Sequence, residues 1–171
     1  MSIDPKKQSP VNYFMDWAEI KADDGLFYQP SNGIWSAFSW QEVKHISLSI
    51  AAFLQRKFLK TKNNNIVILG NNSAYWLMTD LACMMSHQVS VPIFTTMNRE
   101  SVQYILTETE PSVLFLGESQ NWEQIKDLIP PSVDIVTFPN VNIDRNSISW
   151  FELLSFHSVL LNSGLLTRCI Q

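Results

Sequence analysis

The sequence predicts an open α/β sheet, mainly parallel, with helices on both faces, preceded by an N-terminal helix and a β-hairpin. Three observations carry that expectation. Short apolar runs at Ile66–Leu69, Val89–Phe94, Val113–Leu116 and Asp134–Phe138 alternate with longer stretches of helical pattern. Strands that are apolar throughout are those buried on both faces, as in a parallel sheet. Each intervening stretch is also long enough for the crossover that parallel neighbours require, and right-handed crossovers are the strong default.

The elements follow in order. Pro10–Ile20 reads as a short amphipathic helix with Phe14, Trp17 and Ala18 along one side. Leu26–Gln29 and Ile34–Ser39 read as two strands joined by Pro30-Ser31-Asn32-Gly33, since Asn and Gly tolerate positive φ in a tight turn. From about Trp40 to Phe58, Val43, Ile46, Ile50, Phe53 and Leu54 recur at helical spacing. Lys44, Ser47, Gln55 and Arg56 are expected on the opposite, polar side. Ser39 followed by Glu42 has the form of a capping box at the start of this helix. Further helices are expected at Ser73–Ser86, Arg99–Thr109 and Gln120–Leu128.

Composition excludes several functions. The chain has 171 residues, enough for one sizeable core, with Lys+Arg 12 against Asp+Glu 16 and a net charge of -4. A nucleic-acid binder would usually carry a basic stripe, and Lys6-Lys7 is too short to be one. No transmembrane segment is expected, because no run of 18 apolar residues occurs. Residues 1–14 lack the apolar centre of a signal peptide, and two distant cysteines, Cys83 and Cys169, form no disulfide or metal framework. A reducing, cytoplasmic setting is expected. Peripheral membrane contact is left open.

Several segments together resemble the AMP-forming acyl-CoA synthetases, especially bacterial long-chain fatty-acid–CoA ligases. Phe38–Val43 (FSWQEV) is similar to the family's segment opening its first long helix. Ile68–Met85 (ILGNNSAYWLMTDLACMM) resembles the family's strand-turn-helix, and His87–Thr96 (HQVSVPIFTT) the strand after it, with Pro92 in the usual place. Ser101–Gly117, Asn121–Pro130 and Asp134–Pro139 continue the likeness, which fades near Trp150-Phe151-Glu152. The resemblance covers about nine-tenths of the chain, but only the leading part of the family's N-terminal domain. It implies an ancestry in which a carboxylic acid is joined to coenzyme A through an acyl-adenylate, with ATP and Mg²⁺.

The family's phosphate loop, its later acidic residues and its small C-terminal domain have no counterpart in the 171 residues. The resemblance therefore assigns no catalytic, cofactor-binding or metal-binding residue to this sequence. The residues agree independently. A triphosphate cradle needs closely spaced glycines and a lysine, whereas Gly25, Gly33, Gly70, Gly117 and Gly164 are never nearer than eight residues apart.

Remaining candidates have both a functional and a plain reading. Gly70-Asn71-Asn72-Ser73 follows a strand and opens a helix, where anions can bind; the plain reading is a turn in which Asn72 or Ser73 caps the helix. Asp80 is a lone carboxylate with no histidine or metal partner in the pattern. Glu108 and Glu110 resemble a carboxylate pair but sit in a polar exit before Pro111. His45, His87 and His157 lack ligand spacing, and His45 is expected half-buried beside the apolar stripe. Met78, Met84, Met85 and Trp76 are expected in the core, with Cys83 as a reduced buried thiol.

All sixteen acidic residues lie at or before Glu152, and only Arg168 is charged beyond it. Residues 1–152 are thus read as the leading part of the adenylating domain and 153–171 as a divergent tail, one explanation being a shifted reading frame and the other reading a native C-terminal helix. The chain is expected to be a truncated, inactive fragment with no cofactor of its own. The alternative is a non-catalytic module that assembles with a separately encoded remainder of the enzyme. A small nucleotide-binding protein using Gly70–Ser73 is a third reading. If truncation exposed about 400 Å² of apolar surface, roughly 10 kcal/mol would be forfeited. A domain's whole margin is only about 5–15 kcal/mol. The isolated chain is therefore expected to aggregate or to need a partner.

Overall fold

A computed structural model describes residues 9–31, 33–58 and 64–161, the last six by their backbone alone. Helix α1 (Pro10–Ile20) leads into a hairpin of β1 (Gly25–Ser31) and β2 (Ile34–Ser39), followed by α2 (Trp40–Phe58). The alternating part is β3 (Asn65–Leu69), α3 (Ala74–Met85), β4 (Val89–Ile93), α4 (Arg99–Thr109) and β5 (Val113–Leu116). Then come α5 (Trp122–Ile125), a 3₁₀ turn at Lys126–Leu128, β6 (Asp134–Thr137), β7 (Ile148–Ser149) and α6 (Trp150–Leu161).

The main sheet has five parallel strands in the order β4-β3-β5-β6-β7. Because strand side chains alternate between faces, the central strands β3, β5 and β6 each feed two cores. Ile66, Ile68, Val113, Phe115 and Val136 pack with α2, α3 and the start of α6. Val67, Leu69, Leu114, Leu116 and Ile135 pack with Val102 and Leu106 of α4 and Ile125 of α5. This is the expected fold class, with helices on both faces.

The expected capping box opens α2: the Ser39 N–H donates to Glu42 Oε2 at 2.7 Å, and the Glu42 N–H to Ser39 Oγ at 3.2 Å. Along α2 the expected polar side is not polar throughout. Ser47 is fully buried, and its hydroxyl donates to the Met78 carbonyl at 3.2 Å. The cause is position: α2 lies between α3 and α6, so it buries two flanks, and small serines let neighbouring backbones approach. His45, expected half-buried, is exposed.

Other boundaries shift for local reasons. Ser31 pairs with Ile34, so Pro30 and Ser31 belong to β1 and only two residues connect the strands. Gly33 takes φ +79° there, while Asn32 lies outside the described residues. The helix expected over Gln120–Leu128 is one α turn followed by a 3₁₀ turn. Met84 is exposed whereas Met78 and Met85 are buried, because α3 packs on one side only.

The boundary expected between residues 152 and 153 falls inside α6. Leu153 is fully buried in the core beneath α2, α3 and the sheet. Ser149 and Glu152 repeat the arrangement of Ser39 and Glu42: the Ser149 N–H donates to Glu152 Oε2 at 2.7 Å, and the Glu152 N–H to Ser149 Oγ at 3.3 Å. His157 lies among the backbone-only residues, and Cys169 lies outside the described residues.

Candidate functional site

β3, the first strand of the sheet in chain order, has β4 on one side and β5 on the other. The chain thus leaves β3 toward one edge and then returns past it, which makes the β3/β5 border the topological switch point. In open α/β sheets the crevice beyond the carboxyl ends of such strands is where ligands bind. A cleft of about 310 Å³ opens there, lined by Gln29, Asn71, Asn72, Ser73, Glu118 and Asn140 among others. A second cavity of about 480 Å³ shares Asn71, Gly117, Glu118 and Asn140 with the first.

The floor is set by two glycines. A Cβ on Gly70 would stand 2.8 Å from the Gly117 Cα, and one on Gly117 would stand 2.8 Å from Phe138 Cδ2. Backbone bonds continue the sheet past the strands here. The Gly117 N–H donates to the Leu69 carbonyl at 2.7 Å, and the Asn71 N–H to the Glu118 carbonyl at 2.9 Å. Phe138 and Tyr75 meet Trp150 edge to face, with centroids 5.5 Å and 5.3 Å from the indole. The two chain segments therefore turn away from the sheet at van der Waals contact, leaving a shallow polar crevice above them.

The N-terminus of α3 points into this crevice, but two of its donors, the Ala74 and Trp76 N–H groups, are already engaged. Ser73 Oγ accepts the Trp76 N–H at 3.2 Å, as in the plain reading of Gly70–Ser73. The Ala74 N–H donates to Gln29 Oε1 at 2.8 Å, a cap supplied from the hairpin. Among the described residues lining either cavity, the one charged side chain is Glu118. A carboxylate, capped amides and no cation do not fit a triphosphate, which needs converging N–H groups and a positive partner. The lining suits a neutral group that exchanges hydrogen bonds with side-chain amides.

The other candidates do not converge here. Asp80, on α3, accepts the Ser90 hydroxyl at 2.6 Å and so ties the helix to strand β4. Glu108 and Glu110 are exposed at the end of α4, before the amino end of β5 and thus at the opposite rim of the sheet. Glu110 adopts a left-handed conformation there, φ 42°, and its N–H donates to the Leu106 carbonyl. His87 is exposed, with φ 57°, just after α3. Cys83 is buried, and burial, with the nearby Asp80 charge, pushes its thiol up to about 12. Among the described residues no group of three His, Cys, Asp or Glu side chains could hold a metal ion. No described helix is long and apolar enough to cross a membrane.

Gln29 escaped the sequence reading because its partner lies 45 residues away. Ser149-Trp150-Phe151-Glu152, by contrast, carried a readable signal, the same S-x-x-E box as Ser39–Glu42.

The sequence profile of the family described as AMP-binding enzyme matches residues 14–158. The chain belongs to that family. As a member of it, the chain is 24% identical over 147 residues to the long-chain-fatty-acid–CoA ligase 5 of Rattus norvegicus, a match covering 80% of the chain and 22% of the relative. It is 26% identical over 103 residues to ligase 1 of Cavia porcellus, covering 57% of the chain and 15% of the relative. The chain thus spans about a fifth or less of these curated relatives. Among solved structures, it is similar to the acetoacetyl-CoA synthetase of Streptomyces lividans, with TM-score 0.72 and 16% identity over 85% of the chain and 24% of that protein. The luciferase-like enzyme of Zophobas morio gives TM-score 0.69 and 17% identity, covering 90% of the chain and 35% of that protein. At such identities these two structures establish the fold alone.

Proposed function

We propose that this AMP-binding-family chain is the scaffold-forming leading segment of a long-chain fatty-acid–CoA ligase, and that it performs no adenylation by itself. The observation that carries this reading is the switch-point crevice. It occupies the place where an α/β sheet meets its ligand, yet it presents Glu118, capped helix amides and no described lysine or arginine. No G-x-x-x-x-G-K or other phosphate loop occurs in the 171 residues. The long-chain fatty-acid assignment is supported by the names of the curated relatives and by the residue resemblance from Ile68 to Pro139.

In this reading ATP, Mg²⁺ and CoA are met by parts of the enzyme that this chain lacks. The chain's own residues hold the sheet, and through it the position of everything built upon it. Isothermal titration tests the reading. ATP or AMP at millimolar concentration is expected to give no heat of binding with the purified chain, and saturable binding of either nucleotide would overturn the proposal.

A further inference from the structure

The hairpin packs on the core through Leu26, Phe27 and Phe38, but the outer half of β2 has no described covering. β2 pairs with β1 on one side and with nothing described on the other, since the two form a separate two-stranded sheet. Ile34, Trp35, Ser36 and Ala37 are all exposed, so this half of the strand is bare on both faces. Tyr28, Pro30, Trp35 and Ala37 share one face by register, with Tyr28 opposite Ala37 and Pro30 opposite Trp35. Tyr28 is 62% exposed, Ile34 71% and Trp35 68%.

Proteins protect free strand edges with charges, prolines, bulges or covering segments. Residues 25–41 contain no charged side chain, and β2 contains no proline. The opposite side of the molecule differs: there Arg99 of α4 pairs with Asp127 of the 3₁₀ turn, and Lys126 of that turn pairs with Glu123 of α5. The uncharged aromatic edge is therefore built for contact, not for solvent.

We propose that the free edge of β2 receives an uncharged extended strand from the remainder of the same enzyme, whose apolar side chains pack on Tyr28 and Trp35. The occupant follows from the relatives. This chain spans 15–22% of the curated proteins and 24–35% of the solved ones, so most of each such enzyme lies outside this segment and is available to cover its bare edge. Strand addition supplies the main-chain bonds, and the alternate side chains supply specificity. The inference rests on the proposal that the chain is one segment of a larger ligase.

Two measurements test it, and neither reads turnover or nucleotide binding, so its failure is separable from failure of that reading. The chain is superposed on the Streptomyces lividans and Zophobas morio structures. A strand from outside the matched region is expected along the positions equivalent to Ile34–Ala37, and solvent there in both structures overturns the proposal. In solution, light scattering of the purified chain is expected to give a mass that climbs above 19.6 kDa with concentration. Trp35→Lys and Ile34→Lys, each checked for folding by circular dichroism, should abolish that rise. Tyr104→Lys, at an equally exposed aromatic on α4, should leave it intact. A monomer at all concentrations, or equal effects of all three variants, overturns the proposal. Ordered dimerisation through β2 with a bare edge in both relatives would make a second copy the occupant, and overturns it too.

Discussion

Gln29 Oε1, on the hairpin, accepts the backbone N–H of Ala74, the first residue of α3, at 2.8 Å. This one bond links the hairpin to the helix that rises from the switch point. Replacing an N-terminal cap by alanine typically costs about 1 kcal/mol. Gln29→Ala is therefore expected to lower Tm by about 2–4 °C, as that loss implies for a protein of this size. Gln29→Glu keeps an acceptor and adds a negative charge at the helix N-terminus, so it should hold or raise Tm. Thermal melts of the two variants check the pair. Equal loss in both would show that the contact does not cap α3.

Gly70 and Gly117 make a second, steric prediction. A Cβ on Gly70 meets only the Gly117 backbone, whereas one on Gly117 meets first the Phe138 side chain at 2.8 Å and the Gly70 backbone only at 3.3 Å. Overpacking costs about 1–3 kcal/mol where neighbours cannot move. Urea denaturation should therefore show Gly70→Ala to be the more damaging change. Phe138→Leu should restore part of the stability lost in Gly117→Ala and none of that lost in Gly70→Ala.

Helix α6 is expected to be integral to the fold. Leu153 is fully buried, and truncating such a leucine to alanine costs about 2–5 kcal/mol. Chemical denaturation of Leu153→Ala measures this, and a change within error would mean that the helix is dispensable.

The cap of the same helix should give a pH dependence. The Ser149 N–H, then its hydroxyl, donate to Glu152 and hold its carboxyl below the ordinary value of 4.5. A carboxyl lowered in the folded state adds stability above its unfolded value and loses it as pH falls through the folded one. The Tm difference between the wild type and Glu152→Gln should therefore be largest near neutrality and shrink below about pH 4.5.

Cys83 should be silent in the native state. Its thiol, pushed by burial from 9.0 to about 12, stays protonated where free thiols react. With Cys169→Ser removing the other thiol, a disulfide reagent at pH 8 should label the protein only as it unfolds. Because the folded value is the raised one, the Cys83 contribution to stability is constant below pH 9 and is lost progressively as pH rises toward 12.

Apart from the two-residue β7, which has no apolar run of its own, the sheet was legible because its strands are short apolar runs, a pattern that depends on each strand's own residues. So was the Ser39–Glu42 box, whose partners lie three residues apart. What escaped depends on neighbours distant in the chain. Ser47 reads as polar surface until α3 and α6 close on both flanks of α2. Gln29 reads as strand filler until α3 arrives beside it. The start of α6 was hidden differently: the charge-poor composition beyond Glu152 outweighed a cap that the sequence displays.

The central claim is that this chain builds the frame of an adenylating enzyme without its working parts. The most direct measurement is pyrophosphate release by the purified chain, supplied with a long-chain fatty acid, ATP, Mg²⁺ and CoA. The account predicts no turnover above a protein-free blank. Pyrophosphate release that requires both the acid and the chain, and survives repurification, would contradict it.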